Sequence, residues 1–79
     1  MNVFSIKNNK SSILRLMLEP WAQSFDVPSG ESVEIRGEFG SGARGLEIET
    51  YPDNFLALWV PAGASVYKDG VMQKPINTE

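Results

Sequence analysis

The chain has 79 residues, 42% of them apolar and 22% charged, with ten acidic against seven basic side chains and a formal net charge of -3. That length allows one domain with a modest core, and the composition argues against disorder. With no cysteine and no histidine, the chain lacks disulfides, thiolate chemistry, the usual transition-metal ligands and the usual near-neutral general base.

The acidic balance disfavours non-specific binding to nucleic acid or an anionic membrane. No apolar run approaches the length of a membrane span. Met1–Ser5 lacks the charged-then-apolar pattern of a signal peptide. The expected setting is therefore a bacterial-type cytoplasm.

Met1–Lys7 reads as a first strand, and Asn8-Asn9-Lys10-Ser11 as a turn, because Asn tolerates left-handed backbone and bonds its own main chain. In Ser12–Glu19, Leu14, Leu16 and Leu18 alternate with Arg15, Met17 and Glu19. Those residue types also suit a helix, but the period of two favours a strand, ended by Pro20. After the Glu19-Pro20-Trp21-Ala22 corner comes a short strand, Gln23–Val27. Pro28-Ser29-Gly30-Glu31 has the composition of a type II turn.

Ser32–Phe39 and Leu46–Tyr51 both alternate. Joined as a hairpin around Gly40–Gly45, with Phe39 opposite Leu46, they pair Gly37 with Ile48 and Ile35 with Thr50 on the buried face. The wet face then sets Glu38 by Glu47, Arg36 by Glu49 and Glu34 by Tyr51. Phe55-Leu56-Ala57-Leu58-Trp59-Val60 is apolar at every position and bounded by turn formers. It reads as the central strand, either packed on both faces or covering a partner. Ala64–Lys68, the Asp69-Gly70 hairpin signal and the return Val71–Gln73 complete the pattern. Pro75–Glu79 reads as a tail. Turn signals every 8–12 residues, joined by short connections, predict sequential hairpins.

Three groups of residues carry candidate chemistry. The loop Gly40–Gly45 offers backbone N–H groups to a phosphate but lacks a P-loop ending and a following helix, so a long hairpin loop with Arg44 at its tip is the expectation. The carboxylates Glu34, Glu38, Glu47 and Glu49 form an acidic face in the hairpin register. That face suits a hard cation, a basic partner, a Glu38–Glu47 hydrolytic pair, or simply a solvated surface. Trp21, Trp59 and Tyr67 are the ligand or partner candidates. If Leu58 and Val66 face the core, Trp59 and Tyr67 point outward and suit a sugar, a peptide or a second copy; the competing reading buries the rings between sheets. The serines have no histidine partner and no nucleophile elbow.

Leu18-Glu19-Pro20-Trp21-Ala22, Asp26-Val27-Pro28-Ser29-Gly30-Glu31 and Val66-Tyr67-Lys68-Asp69-Gly70 resemble a group of small uncharacterised bacterial all-β proteins with a Glu-Pro-Trp corner and a late Val-Tyr-x-Asp-Gly hairpin. That resemblance spans most of the chain and implies no activity. The Pro-Gly turns between short strands also resemble cupins, although no histidine is present to supply their metal motif. The cupin likeness implies at most a non-catalytic sandwich.

The expected fold is all-β: a small antiparallel sandwich or partly open barrel of about seven strands, with residues 1–74 as one domain and 75–79 as tail. The expected function is a non-enzymatic interaction module binding a protein partner or itself, without cofactor, metal, nucleic acid or membrane. The alternative is a small-ligand or carbohydrate binder using the exposed aromatics.

Overall fold

Period-two alternation is carried through into strands along the chain. The computed structural model describes residues 1–38, 46–60 and 62–76. Among these the strands are β1 (Asn2–Lys7), β2 (Leu14–Glu19), β3 (Gln23–Val27), β4 (Ser32–Gly37), β5 (Glu47–Tyr51), β6 (Phe55–Trp59), β7 (Ala64–Lys68) and β8 (Val71–Met72). They form two four-stranded sheets, one ordered β1-β4-β7-β8 and the other β3-β2-β6-β5. The sheets face each other across Leu14, Leu16, Leu18, Phe25, Val27, Leu58 and Val60 on one side and Val33, Ile35 and Val66 on the other. The fold is thus an all-β sandwich, with eight strands among the described residues.

The pairing differs from a chain of sequential hairpins. Only β2–β3, β5–β6 and β7–β8 join strands adjacent in sequence. β1 pairs with β4, and β2 runs parallel to β6, so the second sheet is mixed rather than antiparallel throughout. The β2–β6 register sets Leu16 beside Leu56 and Leu18 beside Leu58. The two most leucine-rich strands therefore lie side by side in the middle of their sheet, where each has a neighbour on both edges.

The expected Ser32–Tyr51 hairpin does not form. β4 lies between β1 and β7, with Ile35 opposite Phe4 and Val66, whereas β5 belongs to the other sheet and pairs with β6. Alternation had the face right, since Val33 and Ile35 are buried. It does not encode which strand lies alongside: β1 and β7 offer Ile35 the apolar neighbours Phe4 and Val66, where the expected register offered Thr50. Phe39 and the loop Gly40–Gly45, Arg44 included, lie outside the described residues, as do Asn77–Glu79 of the expected tail. Within that tail, the Ile76 N–H donates to the Ser24 carbonyl at 2.7 Å.

The turns follow their chemistry. Asp69 and Gly70 both have positive φ, 51° and 81°, as a type I′ turn between paired Lys68 and Val71 requires. In the Pro28–Glu31 turn, the Glu31 N–H donates to the Pro28 carbonyl at 3.1 Å, and Gly30, at φ 80°, takes the third position that type II reserves for glycine. Asn8 is buried and closes one end of the sandwich. Its Nδ2 donates to the Ser12 and Val27 carbonyls at 2.8 and 2.9 Å. Its Oδ1 accepts from the Lys10 N–H and from Asn54 Nδ2 at 3.0 and 3.2 Å.

Candidate functional site

β6 has apolar side chains on both faces, and the fold treats the two faces differently. Leu56, Leu58 and Val60 turn toward the other sheet, and the last two are fully buried. Phe55, Ala57 and Trp59 alternate with them and face away. Cross-strand register surrounds this outer set. Tyr51, Phe55 and Arg15 form one row; Glu49, Ala57 and Met17 the next; Glu47, Trp59 and Glu19 the third. β3 extends the first row with Asp26, whose carboxylate meets Arg15 Nε at 2.7 Å.

The polar groups on this face hold the rings. Glu49 Oε1 accepts from Trp59 Nε1 at 2.8 Å and from the Tyr51 hydroxyl at 3.0 Å. Tyr51 and Phe55 meet edge to face, with centroids 5.4 Å apart and planes at 86°. Hydrogen bonding to the Glu49 carboxylate, reinforced by its negative charge, pushes the Tyr51 phenol above its ordinary pKa of 10.0. Glu19, Tyr51, Pro52, Phe55 and Ala57 line a shallow recess of about 270 Å³. Tyr51 is half exposed and Trp59 36% exposed, so the rings are tethered yet accessible. Such a face covers apolar groups and attracts cations.

The sequence-derived candidates separate in space. Trp59 is on the outer face of the β3-β2-β6-β5 sheet. Tyr67 alternates with buried Val66 on β7 and so faces outward from the opposite sheet. There the Arg36 guanidinium lies 3.8 Å over its ring and is held by Glu34 at 2.8 Å. Neither ring is buried between the sheets, and they do not stand side by side. Trp21 sits in the turn between β2 and β3, its Nε1 donating to the carbonyl of Val60, just past β6, at 3.1 Å.

The four carboxylates divide likewise. Glu34 and Glu38 belong with β4, and Glu38 lies 3.2 Å from the Met1 amino nitrogen. Glu47 and Glu49 belong to β5, so the expected Glu38–Glu47 facing pair does not exist. The reason is the assignment of β4 and β5 to different sheets. Among the described residues, no three acidic side chains come together to hold a metal ion, and no helix is long and apolar enough to cross a membrane.

Sequence reasoning missed Tyr51 and Glu19 as members of the face. The signal was present in the tight Pro52-Asp53-Asn54 link, which makes β5 and β6 a hairpin and brings Tyr51 opposite Phe55. No family model, no curated protein and no solved structure matches the chain.

Proposed function

We propose that this chain is a non-enzymatic interaction module that binds a protein partner through the outer face of β5 and β6. One observation carries the reading: β6 is apolar on both faces, and while Leu58 on one face is sealed in the core between the sheets, Trp59 on the other, beside a buried Ala57, stays 36% exposed. Tyr51, Phe55 and Trp59 supply the large, stiff, amphipathic contacts typical of anchor residues, and the Glu49 bonds fix two of them before any partner arrives. A sugar-binding platform is less well supported. Tyr51 and Phe55 stand perpendicular rather than as a flat stacking surface, and Trp21 and Tyr67 are elsewhere. A second copy meeting the same face brings Glu19, Glu47 and Glu49 against their own kind, which disfavours self-association there.

The test uses a photo-crosslinking side chain at position 59 or 67, in extract from the native source. The reading expects one defined protein captured from position 59 and not from 67. That protein, once purified, should bind the wild-type chain and Tyr67→Ala saturably, and Trp59→Ala at least about tenfold more weakly, the loss of roughly 1.4 kcal/mol that a single anchor ring carries. Equal capture from both positions, or equal binding by Trp59→Ala, overturns it.

A further inference from the structure

β5 is the last strand of its sheet, and among the described residues no strand lies beyond it. All five of its residues are exposed. Ile48 is the telling one. It points to the core side, opposite buried Leu58, yet remains 55% exposed, because the sandwich ends before it is covered. The other side of the strand carries Glu47, Glu49 and Tyr51. An unpaired edge of this kind is a template for an added strand.

The edge also specifies what can be added. A new strand sets alternate side chains beside Glu47 and Glu49 on the outer face and beside Ile48 on the inner face. Charge complementarity calls for cations on the first side, and the uncovered isoleucine calls for an apolar group on the second. A second β5, paired antiparallel about its middle, brings Glu49 against Glu49 and repels. We infer that β5 accepts an extended segment of another protein that alternates basic and apolar residues, joining the sheet by strand addition. This deepens the proposed function and rests on it: the added strand continues the outer face, and its cations lie within reach of the Glu49–Tyr51–Trp59 cluster.

The experiment uses the full chain and three short, end-blocked synthetic peptides of equal length: alternating Lys and Val, alternating Lys and Ser, and alternating Glu and Val. Backbone amide exchange is read residue by residue. The Lys–Val peptide should bind saturably and slow exchange within residues 46–51. The Lys–Ser peptide should bind more weakly for want of the Ile48 contact, and the Glu–Val peptide should not bind. Glu47→Gln with Glu49→Gln should weaken the Lys–Val peptide about tenfold, as expected for two cross-strand charge pairs. Both residues are exposed, so circular dichroism should show the double variant folded.

Unchanged exchange in β5 at saturating Lys–Val peptide overturns the inference, as does equal binding by the Glu–Val peptide or by the double variant. Protection of β5 that rises with protein concentration in the absence of peptide also overturns it, since a second copy is then the occupant. The two readings fail separately: capture at position 59 without β5 protection retires the edge and keeps the face, whereas loss of capture at 59 retires the face itself.

Discussion

Asn8 shows how much one side chain settles in a domain this small. It is 2% exposed, and its amide makes four hydrogen bonds linking the β1–β2 turn, β3 and the β5–β6 turn. Asn8→Ala takes the side-chain donor from the buried bond to the Val27 carbonyl and leaves the Ser12 carbonyl only its 3.2 Å bond from Asn54 Nδ2. The expected loss is roughly 1–3 kcal/mol in denaturant unfolding, whereas Asn9→Ala on the exposed neighbour should stay within about 0.5 kcal/mol.

Tyr51 makes a second residue-scale prediction. Its folded-state pKa is raised, so the stability it contributes is present below the ordinary value of 10.0 and is lost as pH rises through the folded value. In a Tyr67→Phe background, where Tyr51 is the remaining tyrosine, ultraviolet titration should show phenolate forming above the ordinary range. Adding Glu49→Gln should return it toward that range. An unmoved titration on adding Glu49→Gln means the Glu49 bond does not hold the ring.

At the scale of the element, β6 gives the sharpest contrast, because adjacent residues face opposite environments. Leu58→Ala empties a fully buried site and should cost roughly 2–5 kcal/mol. Trp59→Ala removes a larger side chain from the outer face and should cost under about 1 kcal/mol, since it opens no cavity in the core. Comparable losses at both positions mean the outer face is packed. The β7–β8 turn offers a cleaner backbone test. A Cβ at Gly70 meets nothing within 4 Å, but its φ is +81°, so Gly70→Ala should cost about 1 kcal/mol through conformation alone. These faces and turns were legible in the sequence, because alternation reports burial over two residues and Asp-Gly reports its own φ. Which strands become neighbours was not. The Val33–Ile35 stripe fits β1 and β7 as well as it fits β5, and a parallel β2–β6 pair between strands so far apart in sequence leaves no local mark.

For the whole molecule, that sorting of strands into two sheets decides what the surface is. Trp59 was legible as a candidate, but its company depended on sheet membership: Tyr67 and the β4 carboxylates went to one outer face, while Tyr51, Phe55, Glu47 and Glu49 gathered on the other. The sandwich thus has one outer face on which Arg36 covers Tyr67 and another on which an aromatic and acidic set stays open. The most direct measurement is collisional quenching of Trp59 fluorescence in a Trp21→Phe variant, with and without the protein captured at position 59. The account predicts an accessible indole in the free chain that becomes shielded on complex formation. An indole already shielded in the free monomer, or one equally quenched in the complex, contradicts it.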